Sequence, residues 1–174
     1  MAVVNLKIEP LTKAGFAPFG TVMETDGAAQ MMINQGTTTR FDSLADVDVG
    51  PGGAHGIISL FRGTRRADPI AIKMMERHPR GSQAFYPLQN HSWLVVVAPG
   101  NADDSAPDFT ALRCFHASGI QGVSYNAGTW HHPLLILQDE QDFLVVDRAQ
   151  PVGEADGLNL DEVWLDEAAA VINP

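Results

Sequence analysis

The sequence predicts an all-β fold, built as a sandwich or a barrel. About nine short runs of apolar and β-branched residues follow one another along the chain. Turn signals such as "DGAA", "GPGG" and "EADG" separate these runs. Helical periodicity is weak throughout, so only a few short helical turns are expected. Folds of this kind hold their sites among inward-pointing side chains at the mouth of the barrel.

The predicted elements begin with a short helical turn near the N-terminus. Thr12 is a suitable N-cap for "KAGF", because its hydroxyl can accept a hydrogen bond from a backbone N–H of the first turn. A second helical turn is predicted over "DEAAAVI" at the end of the chain. The predicted strands are residues 20–25, 56–63, 69–78, 83–88, 92–98, 111–117, 122–126, 134–138 and 142–148.

Composition restricts the class of protein. A chain of 174 residues with 45% hydrophobic and 18% charged residues is typical of a globular protein, and we expect one domain over residues 1–174. The formal net charge of −10 argues against a nucleic-acid or anionic-membrane partner. A single cysteine excludes an internal disulfide, and the N-terminus lacks the apolar core of a signal peptide. We therefore expect a cytoplasmic protein.

The strand predicted over residues 69–78 ends in two polar side chains. Side chains alternate between the two faces of a strand. One face therefore carries Ile70, Ile72, Met74, Glu76 and His78. An apolar face that ends in a carboxylate and an imidazole is what the mouth of a barrel site should present. The alternative is that Glu76 and His78 are solvated groups at the rim.

Two adjacent histidines occur in "GVSYNAGTWHHPL", after Tyr125 and a turn. Neighbours on a strand point to opposite faces, so His131 and His132 cannot share one role. One of them can face a cavity while the other packs behind it. The alternative is that both are structural, as a lone strand histidine usually is.

Further polar residues could hold a small anionic substrate. Gln83 begins a predicted strand, and its amide can both donate and accept hydrogen bonds. Asn34 and Arg40 lie in a predicted loop, and Arg148 ends a strand. A planar guanidinium matches a carboxylate well. Alternatively, Arg148 forms a surface ion pair of little energetic value. The sequence contains none of the common hydrolase, nucleotide or zinc-ribbon motifs.

Three segments, "ERHPRGSQAFYPL", "GVSYNAGTWHHPL" and "DFLVVDR", resemble in order and spacing the signature segments of the ureidoglycolate lyase family. This family is also called the ureidoglycolate hydrolases. The "KAGFAPFG" and "INQGTTTRFDSL" segments are similar to the family as well. The likeness extends from about Leu11 to Arg148.

The resemblance implies a cupin-like β-barrel of the jelly-roll type, usually a homodimer. It implies a lyase that splits (S)-ureidoglycolate into glyoxylate and urea during allantoin and purine degradation. Some members use a divalent metal, with nickel the first expectation, and the alternative is no metal. On the ligand pattern of cupins, the metal positions are Glu76, His78, Gln83 and His131.

The resemblance also implies roles for the candidate residues. His131 and His78 would be the general acid and base, with Glu76 orienting one of them. Arg40 or Arg148 would bind the carboxylate, and His132 would support the site from behind. The urea group would contact Asn34, Gln83 or Tyr125. Two alternatives stay open: a cupin enzyme for another small hydroxy acid or sugar acid, and a non-catalytic cupin that binds a carboxylate.

Overall fold

The computed structural model describes residues 3–155 and 157–174, which form four β-sheets. The strands are β1 (Val4–Asn5), β2 (Ile8–Pro10), β3 (Gly20–Met23), β4 (Ala29–Ile33), β5 (Thr38–Asp42), β6 (Gly56–Thr64), β7 (Ile70–Ile72), β8 (Met74–Arg77), β9 (Gln83–Pro87), β10 (Trp93–Ala98), β11 (Arg113–Ala117), β12 (Gly122–Tyr125), β13 (Trp130–His131), β14 (Leu135–Ile136), β15 (Glu140–Arg148), β16 (Asp161–Trp164) and β17 (Ala170–Ile172). The helical elements are α1 (Lys13–Phe16) and two 3₁₀ turns, Asn34–Gly36 and Phe109–Ala111. The predicted all-β class is confirmed.

Three of the sheets stack on one another. The central sheet has the order β16-β8-β13-β10-β11-β2, with β14 also paired to β10. The front sheet has the order β3-β12-β9-β15-β6, and the back sheet has the order β1-β17-β7. Strands β4 and β5 form a separate hairpin. Facing sheets of this kind are the architecture of jelly rolls and cupins.

The main core lies between the central and front sheets. Trp93, Val95 and Val97 of β10 point toward Phe85 and Phe143 of the front sheet, and all five are buried. The Trp93 and Phe143 rings meet nearly edge to face, with centroids 4.9 Å apart. Burying each side chain of this size stabilises the folded state by roughly 1.5–3 kcal/mol.

A second core lies between the central and back sheets. Leu94 and Val96 of β10 pack there with Ile70, Ile72 and Ile172. Strand β10 is therefore buried on both faces, which explains why "WLVVVA" is apolar without alternation. The site described below lies on the front side of this doubly covered central sheet, where the main core gives way to polar side chains.

The strand predicted over residues 69–78 is two strands, and the prediction of one continuous face was wrong. The chain leaves the back sheet after Ile72 and enters the central sheet at Met74. As a result Met75, rather than Met74, packs with Ile70 and Ile72. The polar end of the segment is unaffected by this change, because Glu76 lies after the break and inside β8.

The two predicted helical turns have opposite outcomes. The turn at "KAGF" is confirmed, because α1 spans Lys13–Phe16 and the Thr12 hydroxyl accepts from the Gly15 N–H at 3.0 Å. The turn over "DEAAAVI" was wrong. Residues Ala170–Ile172 form β17, which pairs with both β1 and β7. Pairing on two sides outweighs the helical propensity of the alanines. No helix of the described residues has the length and apolar character needed to cross a bilayer.

Candidate active site

Three side chains from the segments singled out above meet in the structure. The carboxylate of Glu76 and one ring nitrogen each of His78 and His131 all lie within 4.8 Å of one another. The pairing of β8 with β13 places His131 directly opposite Glu76. The Glu76 Oε1 atom is 3.5 Å from His131 Nε2, and the two imidazole centroids are 5.6 Å apart. The inward-facing histidine of the adjacent pair is thus His131.

Main-chain carbonyls fix the tautomers of both imidazoles. His78 Nδ1 is 2.8 Å from the Asn159 carbonyl oxygen, and His131 Nδ1 is 2.9 Å from that of Thr129. A carbonyl oxygen only accepts, so each Nδ1 carries the hydrogen and donates it. Each Nε2 therefore presents a lone pair. Both Nε2 atoms are buried and make no hydrogen bond with the described residues.

The strand β8 is held by a charged contact on its other side. Arg77 donates to Asp161 at 2.8 Å and to Asp104 at 2.9 Å. Its guanidinium also lies over the Trp130 ring, 4.5 Å from the centroid, a cation–π contact. These contacts tie β8 to β16 and to the strand that carries His131.

The front sheet contributes an aromatic ring and an amide. Tyr125 stacks flat on His131, with centroids 4.1 Å apart and an interplanar angle of 11°. Gln83 is the strand partner of Tyr125, and its Nε2 donates to Asp147 Oδ2 at 3.2 Å. The Gln83 Oε1 atom is buried without a hydrogen-bond partner among residues 3–155 and 157–174. It is therefore available as an acceptor near the three-residue group.

The electrostatics of the group favour a charged Glu76 carboxylate beside a neutral His78 imidazole. Burial opposes ionisation of Glu76, but the neighbouring His131 and His78 outweigh it and hold the pKa of Glu76 below its usual value. Burial and the proximity of His131 lower the pKa of His78, although Asn159, Glu76 and Asp147 partly oppose this. At neutral pH, Glu76 is an anion and His78 is neutral.

His132, the other histidine of the pair, is not among the three side chains that meet. It is buried, and its Nδ1 is 2.8 Å from the Pro133 carbonyl oxygen. Burial lowers the pKa of His132 to about 4, so this imidazole is uncharged at neutral pH. Its contribution in this structure is packing and a main-chain hydrogen bond.

Three predicted substrate contacts have other surroundings. Arg148 donates from both terminal nitrogens to Glu154 at 2.7 Å and from Nε to the Val49 carbonyl, and its side chain is 1% exposed. Arg40 lies on the β4–β5 hairpin, exposed and 2.5 Å from Asp42. Asn34 is in the 3₁₀ turn that closes the same hairpin. No described hydrogen bond or ion pair links these residues to Glu76, His78 or His131.

Two cavities border the group. One of about 520 Å³ is lined by Glu76 together with Arg66, Phe61, Phe85 and Leu134. A second, of about 300 Å³, is lined by His78, Asp147 and Asn159. The predicted residue Arg148 lines this second cavity too, although its guanidinium is held by Glu154. A small molecule can approach the carboxylate from the first and His78 from the second.

Sequence reasoning missed Asn159 and Arg66 as parts of the site, and it considered Asp147 only as the neighbour of Arg148 at the end of a strand. Asn159 acts through its carbonyl oxygen, which leaves no trace in side-chain patterns. Asp147 alternates with the core residues Phe143 and Val145 on β15, and this period would have placed it on the inner face. Arg66 follows β6 in "FRGTRR" and looks no different from its neighbours.

The donor set of the group fits a divalent metal ion. It offers a carboxylate and two imidazole lone pairs, each imidazole oriented by a carbonyl on its other nitrogen, as histidine ligands usually are. Gln83 Oε1, on strand β9 of the front sheet, is a further buried atom without a hydrogen-bond partner among the described residues. Imidazole and carboxylate together suit first-row metals such as nickel or zinc.

Comparison with known proteins identifies relatives across the whole length. The sequence model of a family described as ureidoglycolate lyase matches residues 3–172. A ureidoglycolate lyase of Burkholderia mallei is 50% identical over 164 residues, covering 94% of this chain and 91% of the relative. The ureidoglycolate lyase of Pseudomonas entomophila is 46% identical over 171 residues, covering 98% of both chains.

Remote structural similarity is found as well. A solved structure of a dTDP sugar isomerase from Desulfovibrio desulfuricans superposes with a TM-score of 0.47 at 15% identity. The match covers 84% of this chain and 85% of the isomerase.

Proposed function

The chain belongs to the ureidoglycolate lyase family, and we propose on this basis that it splits ureidoglycolate into glyoxylate and urea. The relatives carry this name at 46–50% identity over nearly the whole chain. One observation assigns the reaction to specific residues: Glu76, His78 and His131 lie together, and Glu76 lines a cavity.

The reaction needs one proton to move. Ureidoglycolate has a carbon that bears a hydroxyl group, a carboxylate and the ureido nitrogen. When the hydroxyl loses its proton, the oxygen forms the carbonyl of glyoxylate and the carbon–nitrogen bond breaks. The departing nitrogen takes a proton and leaves as urea. The proton removed and the proton added balance, so one imidazole can do both in turn.

We assign the proton transfer to His131. Its Nε2 carries a lone pair, faces the group and lies 3.5 Å from Glu76. After the imidazole accepts the hydroxyl proton, the Glu76 carboxylate stabilises the resulting cation. The cation then returns the proton to the ureido nitrogen. His78 Nε2 presents a second lone pair to the same space and orients the hydroxyl or the ureido N–H.

Gln83 and Tyr125 are our candidates for holding the urea group. Gln83 Oε1 is a buried acceptor without a partner in the described residues, and a ureido N–H would satisfy it. Tyr125 supports His131 by stacking and brings its hydroxyl to the same region. Burial raises the pKa of the Tyr125 phenol, so it remains a neutral hydrogen-bond donor.

In a second version of this proposal the site holds a divalent metal ion, and nickel is the ion that we expect first. Glu76, His78 and His131 would hold it, with Gln83 as a further ligand. A metal there supplies Lewis acidity, which lowers the pKa of an oxygen that it binds. In that version the lone pairs of both histidines would be occupied, so neither imidazole would act as the base. The metal content of the purified protein decides between the two versions.

We also propose a homodimer in the cytoplasm, acting in allantoin and purine breakdown as one cupin-like domain. Support for the dimer comes from the outer face of the front sheet. Ile58 and Leu60 of the edge strand β6 are 72% and 70% exposed, and they continue onto the half-buried Leu144 and Tyr86. A second copy that covered this apolar face would remove it from water.

The direct test is an assay of urea and glyoxylate release from racemic ureidoglycolate. We expect equal amounts of both products and consumption of one enantiomer. The assay is run as purified, after chelation, and with nickel added back. Folded protein that releases neither product under any of these conditions would reject the proposal. Release of ammonia in place of urea would show that a different bond breaks.

A further inference from the structure

We propose that Arg66 binds the carboxylate of the substrate at the mouth of the Glu76 cavity. The inference rests on the proposed function for the identity of the substrate. It assigns the anion contact to a residue that the sequence did not single out. Two observations support it: Arg66 lines the cavity, and it has no partner within the part of the chain that the structure describes.

The arginines of the chain are almost all neutralised within the protein. The chain contains eight arginines, and seven of them make ion pairs with carboxylates. The pairs are Arg40–Asp42, Arg62–Asp142, Arg65–Asp68, Arg77–Asp161, Arg80–Glu154, Arg113–Glu9 and Arg148–Glu154. Arg66 alone has no ion pair or hydrogen bond with residues 3–155 and 157–174. In a chain with 21 acidic residues and 11 basic ones, an unpaired arginine is unexpected.

The difference between paired and unpaired arginines is clear within the segment that contains Arg62, Arg65 and Arg66. Arg62 is held by both carboxylate oxygens of Asp142, at 2.7 and 3.0 Å. Arg65 donates to Asp68 at 2.7 Å and to the Leu137 carbonyl at 2.6 Å. Arg66, the next residue after Arg65, keeps its five N–H donors free of such contacts among residues 3–155 and 157–174.

The surroundings of Arg66 suit a small carboxylate. The same cavity is lined by Phe61, Phe85 and Leu134 and by Glu76. Arg62 and Arg65 line it as well, but their guanidinium groups are held by Asp142 and Asp68. Apolar walls strengthen a charge-assisted hydrogen bond by excluding water. The positive charge of Arg66 also reaches inward, because it contributes to the lowered pKa of the buried His132.

The arrangement orients the substrate. With the carboxylate on Arg66, the repulsion from Glu76 keeps that end of the molecule at the mouth. The hydroxyl and ureido groups then face Glu76 and His131 (or a metal held there). Arg66 therefore serves either version of the chemistry. Its bidentate match to a carboxylate would also exclude neutral analogues.

Steady-state kinetics of Arg66→Met and Arg66→Lys, with Arg62→Met as a matched control, test the proposal. We expect Arg66→Met to raise KM for ureidoglycolate by roughly 10- to 100-fold, the effect of losing a hydrogen-bonded charge. Arg66→Lys should recover part of the loss, because it keeps the charge without the planar fork. Arg62→Met should stay within about twofold of the wild-type KM, since Arg62 is held by Asp142. A wild-type KM in Arg66→Met, or equal losses in Arg66→Met and Arg62→Met, would overturn the assignment.

Calorimetric titration with glyoxylate separates this proposal from the proposed function, because it requires no turnover. We expect glyoxylate to bind the wild type and Arg62→Met alike, and to bind Arg66→Met much more weakly. Equal affinity in Arg66→Met, or no binding to the wild type, would overturn the anion site. If the protein lacked lyase activity but still bound glyoxylate through Arg66, the anion site would be supported and only the proposed reaction would be rejected.

Discussion

Tyr125 and His131 lie flat against each other, 4.1 Å between ring centroids, although they belong to different sheets. The front sheet thus sets the plane of an imidazole that the central sheet carries. Because Tyr125 is buried and cannot turn away freely, the ring of His131 is held in one orientation. An imidazole held in this way loses little entropy when it accepts a proton at a defined position.

The first prediction separates the ring of Tyr125 from its hydroxyl. Tyr125→Phe keeps the stacked ring, so we expect kcat within about threefold of the wild type if the hydroxyl serves only substrate binding, with the larger change in KM. Tyr125→Leu removes the stack, and kcat should fall by roughly tenfold or more because His131 can tilt. Steady-state kinetics on both variants measure the difference. Equal kcat values in the two variants would show that the stack has no catalytic effect.

The second prediction concerns the two inward imidazoles. His131→Ala should lower kcat by roughly 10²- to 10⁴-fold, the usual contribution of a general acid or base. His91→Ala is the matched control, because His91 is exposed and its side chain makes no contact with the site. Full activity in His131→Ala would reject the assignment of the proton transfer to this residue.

The third prediction is the pH dependence of the same site. The lone pairs of His78 and His131 are available only when the imidazoles are unprotonated. Burial holds the pKa of His78 below its ordinary 6.5, so kcat/KM should stay level at neutral pH and fall as the solution becomes acidic. The opposite trend, with activity rising as pH drops through this range, would indicate that a protonated histidine is the active form.

The fourth prediction tests the metal version by binding rather than by activity. Apo-protein titrated with nickel in a calorimeter should bind one equivalent, and Glu76→Gln should weaken this by more than about tenfold. Glu162→Gln is the control, since Glu162 is the strand partner of Glu76 on β16 but is exposed. Equal affinities in the two variants would place the metal elsewhere or reject it.

The fifth prediction concerns the apolar outer face of the front sheet. Charging it with the double substitution Ile58→Glu and Leu60→Glu should shift the protein from dimer to monomer, as read by light scattering. Ile120→Glu changes an exposed apolar residue in a loop and should leave the mass unchanged. A wild type that is already monomeric would reject the proposed dimer.

Local patterns predicted the site better than they predicted the sheets. Alternation singled out Glu76 and His78 and narrowed the third position to His131 or His132, because each step depends on a few consecutive residues. The preference for His131 came from the family resemblance. The break after Ile72 and the strand at Ala170–Ile172 depend on pairing between segments about 100 residues apart. The residues of either segment alone do not indicate that the two segments pair. The same holds for Arg66, whose free state is apparent only once Asp142 is seen to hold Arg62.

The two hydrogen bonds that set the imidazole tautomers end on the main chain at Thr129 and Asn159. Any amino acid at these two positions supplies a carbonyl, so the acceptor itself does not depend on the side chain. The side chains act on the path of the backbone instead, because the Thr129 hydroxyl donates to the Phe19 carbonyl and the Asn159 amide oxygen accepts from the Arg80 N–H. Substitution of either residue would therefore change the histidines only by moving the main chain that orients them.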